Sequence, residues 1–600
     1  MPTYVYRLLN VEEQEIRLLE LGPGEYNDPL QAALVTVSVK KLPTYNTISY
    51  VWGDPSKNGD LRIRDASLAV PANTIRALRR MRLRDGMRVV WIDAVCINQD
   101  DIHERGQQVG LMGTIYRCSA GNLVHLTDNQ TLAQRILRLA HQIDGEARAE
   151  TDDNAHLGKL LHGADVTNPS SNRDSRPRRE DLDSDALWSL LRLPWFRRLW
   201  ILQEAVVSPM NSCYLGEMPP CPLNLLLRTV RWLEYTTQII YQGGPEGLVG
   251  RVCILHLFEL ADREIGLAGL TKGDPQLPYL LQIAITFERS EPRDGIFALL
   301  GMLSNRPKDI VTDYTKSTQI ILQETTRHVL AHLDRTQFLH PLNFISHQSD
   351  PVDICSWMCP YDRQFYEAWD PSPFDTTRSR AWTGLDDHPE VPKGSGGASI
   401  DSATITLPGL SVDTISFTSA ACSEKYYFDG KLFNEWTFNA ILDLSNCVKP
   451  SRADELSLTS QFLGDLARAF TTEGKQHGGT VEADQVAEVT ACFSALVDSS
   501  TKDSADPKLF SAVSQTCTLN YLSNRRLFRT AAGRIGLGPK IARPGDVVTV
   551  LRGGALPFIL RPLDRQYQLI GAAYVSGIMH GEAVQEAHAK GLEQQVFTIR

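Results

Sequence analysis

A chain of 600 residues is longer than one compact core accommodates, so two to four domains are expected. With 42% hydrophobic and 22% charged residues the composition is globular and excludes a largely disordered protein. Lys+Arg 61 against Asp+Glu 71 gives a formal charge of −10, which argues against broad charge-driven nucleic-acid binding. No apolar run approaches the roughly 20 residues of a spanning helix, so no membrane span is expected. The opening MPTYVYRLLNVEEQEIRLLEL lacks the basic stretch, apolar core and small-residue cleavage site of a secretory signal. The 11 cysteines are odd in number, scattered and mostly in apolar contexts, as in WIDAVCINQ; they read as reduced thiols of a cytoplasmic protein. The close pairs Cys213/Cys221 and Cys355/Cys359 lack partners at zinc spacing, so no metal site is expected.

In chain order, TYNTISYVWG is a strand closed by Gly53 and Asp54, and residues 71–84 form a helix that starts at Pro71. MRVVWIDAVCI is nearly continuous in apolar residues, as a parallel strand buried on both faces would be. A helix then starts at Asp100 and Asp101, with Ile102, Val109, Met112 and Tyr116 on one side, and GNLVHLT is a further strand. The alternation indicates a doubly wound α/β unit. Residues 144–185 are polar and read as a mobile surface insertion. Helices dominate 221–340, PKGSGGAS (392–399) is a linker, and a helix is expected at 454–472. The last 80 residues, with VVTVL, PFILRP and YQLIGAAYV, suggest a small antiparallel sheet or barrel, and GRIGLG near 533–538 reads as a turn.

Phosphate-binding glycine loops, HExxH and the G-x-S-x-G elbow are all missing from the sequence. The arginines Arg76, Arg79, Arg80, Arg82 and Arg84 either face an anion or form a solvated helix face. Asp93 ends a predicted buried strand, where open α/β sheets place ligand contacts; alternatively it orders the turn that follows. On a helix over 196–207, Phe196, Trp200 and Glu204 would share a face and set a carboxylate beside two aromatic rings. Such a group has a raised pKa and can oppose a developing cation at a sugar carbon. The alternative is a structural Glu204 paired with Arg197, Arg198 or a more distant group.

The blocks YNTISYVWGD, VVWIDAVCINQDDIHERGQQVGLMGTIY and PWFRRLWILQEAVVS together resemble the fungal heterokaryon incompatibility (HET) domain. Later blocks resemble the usual body of such proteins: EPRDGIFALLG (291–301), DICSWMCPYD (353–362) and the run from GRIGLGPK to YVSGIMHGEAV. The family halts growth or kills cells when genetically unlike fungal cells fuse, so the resemblance implies non-self recognition and programmed cell death. The HET domain is in turn distantly similar to TIR domains, which are flavodoxin-like and in several lineages cleave NAD with a helix-borne glutamate. Carried over, this makes Glu204 the catalytic candidate, with Ser49, Tyr50, Trp52, Gly53, Asp93 and Trp200 as the binding residues. NAD would be a substrate, and no cofactor is required. Two departures from the family pattern are His125-Leu126-Thr127 where Trp-Leu-Gly is common, and Gly295 where Lys often stands.

The fold class expected is a flavodoxin/TIR-like parallel-sheet α/β HET domain over 1–216, a mainly helical region over 217–345, and a mixed C-terminal region over 346–600 ending in a small antiparallel β unit. Function divides between a HET protein that cleaves NAD to release nicotinamide, a non-catalytic homotypic signalling module, and a HET fold serving a metabolic pathway. The partner expected is a second copy or another incompatibility protein.

Overall fold

The N-terminal 40 residues, to which the sequence pattern assigned no element, form a hairpin of β1 (Glu15–Leu21) and β2 (Gln31–Ser38), in register from Glu15↔Ser38 to Leu21↔Ala32. A computed structural model of the chain describes residues 1–54, 56–153, 182–236, 244–261, 276–332, 341–351, 354–361, 381, 403–422, 435–437, 439–441, 443–444, 455–471, 483–498, 522 and 524–600. They divide into two units, residues 1–318 with 361–365 and residues 319–360 with 366–600.

In the first unit the hairpin is followed by β3 (Asn46–Ser49), β4 (Gly59–Ile63), β5 (Ala66–Val70), α1 (Ala72–Met81) and β6 (Arg88–Trp91). The short α2 (Asp93–Cys96), α3 (Ile102–Arg117), β7 (Asn122–Thr127) and α4 (Gln130–Asp153) come next. The sheet is completed by β8 (Asn211–Leu215) and β9 (Cys221–Pro222), giving nine strands in the order β5-β4-β2-β1-β6-β3-β7-β8-β9. At its centre β6, β3, β7 and β8 run parallel, so the second, first, third and fourth strands of the α/β alternation lie side by side. The sheet as a whole is mixed rather than parallel: β1 joins β6 antiparallel and carries β2, β4 and β5 beyond it. Hairpin β1–β2 covers the edge that a four-stranded parallel core would leave open.

Helix α3 starts where the carboxylates predict. Asp101 caps it, accepting the His103 and Glu104 N–H groups at 3.0 and 3.1 Å. Val109, Met112 and Tyr116 are buried, whereas Ile102, in the first turn, is 40% exposed. Residues 144–153 continue α4, so the insertion expected over 144–185 is helical at its start; 154–181 lie outside the described residues. The chain resumes with α5 (Ser184–Leu191), a 3-10 turn at Pro194–Arg197 and α6 (Ile201–Val206). Helices α7 (Leu223–Thr236), α8 (Gly244–Ala261), α9 (Leu277–Ala284) and α10 (Asp294–Leu300) complete this unit.

A buried ion pair ties β1 to the segment that follows β6. Arg17 is 1% exposed and Glu104 6%. Arg17 meets Glu104 through its two terminal guanidinium nitrogens, at 2.6 and 2.9 Å, and also donates to the Cys96 carbonyl. Glu104 in turn accepts the Asn98 N–H at 2.7 Å, which orders the Ile97–Asp101 turn before α3.

The second unit contains α11 (Thr318–His332), α12 (Glu455–Thr471) and α13 (Ala483–Asp498), the middle one where the pattern at 454–472 placed a helix. Strand β10 (Ile405–Thr418) is 14 residues long and serves three neighbours in turn. Those neighbours belong to β11 (Arg525–Thr530), β12 (Ile535–Pro539), β13 (Val547–Leu551), β14 (Pro557–Leu563), β15 (Gln566–Ala572), β16 (Tyr574–Val575) and β17 (Gln595–Ile599). β10 pairs with β17, then β13, then β11, and its register shifts at Ser411/Asp413 and Ile415/Phe417, where bulges re-aim it. The ring β13-β14-β15-β17-β10 closes on itself, which makes the expected small β unit a barrel. Two expectations are corrected. The β15–β17 pair is parallel, because α14 (Glu582–Ala589) returns the chain to the far end before β17. Part of GRIGLG is strand β12, paired along β11, and only Gly533 and its neighbours turn. PKGSGGAS lies outside the described residues.

Replacing Arg17 with Met would leave Glu104 buried without its cation, an arrangement that costs about 3–5 kcal/mol. We expect Arg17→Met to lower the denaturant midpoint of the first unit sharply, and Arg17→Met/Glu104→Met to recover most of the loss. Equal midpoints for Arg17→Met and the native chain would refute this.

Candidate functional site

Ser49 ends β3 with its side chain buried at 1%, and Tyr50 follows at 2%. Beyond them Trp52 is half-buried and Gly53 sits at φ +68°. A Cβ at Gly53 would lie 2.5 Å from Asn73 Nδ2, which donates to the Val51 carbonyl, so a larger residue there would displace the Asn73 amide, besides the strain of the positive φ. Asp93 opens α2 just after β6. All of these lie at the carboxyl ends of parallel strands β3 and β6, where open α/β sheets gather their ligand contacts.

Glu204 reaches this edge from α6. The expected helix over 196–207 is interrupted, which corrects the proposed face. Pro194 starts a 3-10 turn, Arg198 is extended (φ −73°, ψ 133°), and the chain bridges to Glu288 on either side of it: Leu199 N–H donates to the Glu288 carbonyl and Glu288 N–H to the Arg197 carbonyl. Only after this detour does α6 begin, so Phe196 and Glu204 share no helix face. The aromatic group next to the carboxylate is instead Trp195, by way of a hydroxyl. Trp195 donates its indole N–H to Ser49 Oγ at 2.7 Å, and Ser49 donates to Glu204 Oε2. Phe196 packs edge-on against Trp195, with ring centroids 5.1 Å apart.

Glu204 is 2% exposed, and its other oxygen lies 3.8 Å from Arg198 Nη2. Arg198 also donates to the Tyr50 carbonyl. Asp93 takes the Trp52 indole N–H at 2.8 Å and the Ala94 N–H at 2.7 Å. Burial pushes both carboxyls above the usual carboxylate range; Arg198 pulls both back, helped by Ser49 at Glu204 and by Trp52 at Asp93. Asp93 itself raises Glu204, so two acids share one guanidinium. The structure thus assembles Ser49, Tyr50, Glu204 and Arg198 around one enclosed point, with Trp52 and Asp93 paired beside it.

Trp200 is turned elsewhere. Its indole N–H donates to Asp294 Oδ2 at 3.0 Å, and the Tyr314 hydroxyl donates to Asp294 Oδ1 at 2.6 Å. Asp294 is 8% exposed and meets neutral donors, so burial pushes its carboxyl up to about 6. No local pattern marks residue 294 as a partner for residue 200; the family-like block 291–301 was the only signal there. Gly295, the departure from the family pattern, is explained by packing: a Cβ there would lie 2.7 Å from the Tyr361 carbonyl, which also accepts from Arg289. The other departure ends β7, where His125 pairs with Asp128 at 2.8 Å and that bond lowers the Asp128 carboxyl.

The arginine cluster is largely committed to internal acceptors. Arg80 donates to the Gly216 and Met218 carbonyls, Arg82 to Pro29 and Asp28, Arg76 to Asn73, and Arg84 lies 3.4 Å from Glu25. Among the described residues, no group of three His, Cys, Asp or Glu side chains is placed to hold a metal ion, and no helix is long and apolar enough to cross a membrane.

Residues 45–204 match the family described as heterokaryon incompatibility protein (HET), and residues 504–592 match the Het-6 beta-barrel domain. The first match takes in the whole cluster from Ser49 to Glu204. The chain is 23% identical, over 95% of its own length and 95% of the relative's, to heterokaryon incompatibility protein 6, OR allele, of Neurospora crassa. A second relative, vegetative incompatibility protein HET-E-1 of Podospora anserina, is 24% identical over 28% of this chain and 9% of its own. No solved structure is significantly similar to the chain.

The Asp294 carboxyl yields a pH prediction. Its folded value of about 6 lies above the ordinary 3.8, so the folded state holds the proton more tightly. The resulting stability is fully present below pH ~4 and lost as pH rises through about 6, a change of about 3 kcal/mol. In Asp294→Asn that dependence disappears. Denaturation of both proteins from pH 4 to 7 should show the native chain losing ground to the variant across this window; parallel curves would count against the assignment.

Proposed function

We propose, from the premise that this chain is a fungal HET-domain protein, that it acts in non-self recognition between fungal cells and in the cell death that follows. In the state described, its HET unit works as a signalling module rather than as an open enzyme. One observation carries this reading: the Glu204 carboxylate is 2% exposed and occupied by Ser49 on one side and Arg198 on the other. A carboxylate so committed offers no free face to a sugar carbon. The signal then passes through association with a second copy or with another incompatibility protein.

A specific observation favours a second reading, cleavage of NAD. The four parallel strands follow the order second-first-third-fourth, which is the flavodoxin-like order, and Trp52, Asp93 and Glu204 stand at the strand ends where such sheets take their ligands. Two carboxyls raised by burial suit that chemistry as well. For Glu204 to act, it would have to leave Ser49 and turn from Arg198 towards the ribose C1′; nicotinamide departs as a neutral group and needs no strong acid.

Glu204→Gln separates the readings, since the amide keeps the shape and accepts the Ser49 hydroxyl. For the signalling module, growth arrest on expression in fungal cells is retained by Glu204→Gln, and the purified chain releases no nicotinamide from NAD in dilute or self-associated form. Release that falls ~100-fold or more in Glu204→Gln, with loss of growth arrest, would establish the enzyme instead.

A further inference from the structure

Strand β2 runs beside β1 for nearly its whole length, but β4 meets it only at Gln31 and Ala32 before the two diverge. The bonds that reach β1 fix which way the β2 backbone points. Gly22 N–H donates to the Gln31 carbonyl at 2.9 Å and Val39 N–H to the Gln14 carbonyl at 3.2 Å. Odd-numbered positions therefore turn their polar groups to β1 and even-numbered ones turn away. Of the even positions, Ala32 is covered, its carbonyl accepting Arg64 N–H at 2.9 Å. The N–H and C=O groups of Leu34 and Thr36, and the Ser38 N–H, have no partner among the described residues.

The open span, Ala-Leu-Val-Thr-Val-Ser over 33–38, carries no charge, proline or glycine; Leu34, Val35 and Val37 are half-buried and Thr36 is exposed. The sheet's β5 flank is treated differently. There Tyr4 N–H donates to the Ser67 carbonyl at 2.8 Å and Ser67 N–H to the Pro2 carbonyl at 2.9 Å, so the N-terminal segment caps the edge. Folds blunt an exposed edge with charge, proline or cover. Among the described residues the free span of β2 has none of these, and its β-branched side chains suit it to a further strand.

We propose that β2 pairs antiparallel with β2 of a second copy, across a two-fold axis at Thr36. The proposal rests on the reading that the HET unit signals by association, and gives that association its surface. Shape and charge both select an identical strand. Because β4 occupies Gln31 and Ala32, an incoming strand overlays only the span from 33 onward. Centred on Thr36, the two threonines exchange main-chain bonds, each Leu34 faces a Ser38, and each Val35 packs beside a Val37. The turn at 39–40 then carries each chain away where β4 of the other copy begins. At that turning end Glu12, Glu13 and Glu15 outnumber Lys40 and Lys41, whereas beside the blocked end Arg62 and Arg64 outnumber Asp65. Antiparallel pairing sets the acidic end of one copy against the basic end of the other. So short a ladder stays well under the roughly 1,200 Å² of a standard interface, which makes the dimer weak and dependent on concentration.

Sedimentation velocity of the full chain from about 1 to 100 μM tests the interface. The native chain is expected to pass from monomer to dimer over this range. Thr36→Pro removes an outward N–H and none of the bonds to β1, and should weaken dimerisation on the order of tenfold or more. Residue 36 faces its own copy, so Thr36→Lys and Thr36→Glu should each stay monomeric while their equimolar mixture recovers the dimer, a rescue that misfolded variants would not give. A native chain still monomeric at ~100 μM, dimerisation unchanged in Thr36→Pro, or a mixture that stays monomeric would each overturn the proposal. If the dimer obeys these rules while Thr36→Pro still arrests growth in fungal cells, the β2 interface stands and the association reading fails.

Discussion

Among the described residues, Arg198 is the cation that holds the strand-end cluster together. Two carboxyls, Glu204 and Asp93, are carried into a poorly solvated edge of the sheet, where each would otherwise favour its neutral form. The guanidinium offsets both and is itself bonded to the Tyr50 carbonyl at the end of β3. It occupies that position because the backbone around it is extended and bridged to Glu288. Without that guanidinium, burial of Glu204 and Asp93 would have no nearby positive charge to offset it among the causes acting on them. The irregular backbone before α6 thus carries Arg198 at the cluster, and helix α6 begins only after it.

The placement of α6 depends on contacts too close for ordinary side chains. A Cβ at Gly113 of α3 would lie 2.5 Å from the Gly301 carbonyl, and one at Gly301 would meet the Gln203 amide at 2.7 Å. The Gln203 amide itself lies between the Ala298 carbonyl and the Gly113 N–H. Helices α3, α6 and α10 thus approach through two glycines and one glutamine. Trp200, at the head of α6, is fastened to Asp294 at the start of α10. The carboxylate at 204 is positioned by this scaffold as much as by its own hydrogen bonds.

In the second unit, closure of the strand ring leaves β13, β14, β15, β17 and β10 paired on both sides, which removes the open edges that invite aggregation. A buried ion pair stabilises the turn between β12 and β13 and the strand that follows: Arg561 meets Asp546 at 2.9 and 3.0 Å and donates to the Ile541 carbonyl. A barrel of this kind hosts many functions, so function is read from the residues gathered at the strand ends of the first unit rather than from the barrel.

The amino-acid sequence by itself determined the local elements whose signals are local. The apolar run before Asp93 is a buried strand, Asp101 is a helix cap, the helix over 455–471 sits where its periodicity predicts, and the Gly- and Pro-punctuated C-terminus is a β unit. It also named Ser49, Asp93 and Glu204 as residues of interest and Arg198 as a rival partner. Tertiary structure alone decided which of these meet. The Ser49–Glu204 bond joins residues 155 positions apart, and the Trp200–Asp294 bond joins residues 94 apart. The four-residue spacing puts Trp200 one helical turn before Glu204, whose N–H donates to the Trp200 carbonyl, but the bridge to Glu288 at Arg198 separates Phe196 from both. The antiparallel extension of the sheet and the parallel pair that closes the barrel were equally hidden. Strand pairing is set by partners distant along the chain, whereas periodicity and capping are written within a few residues.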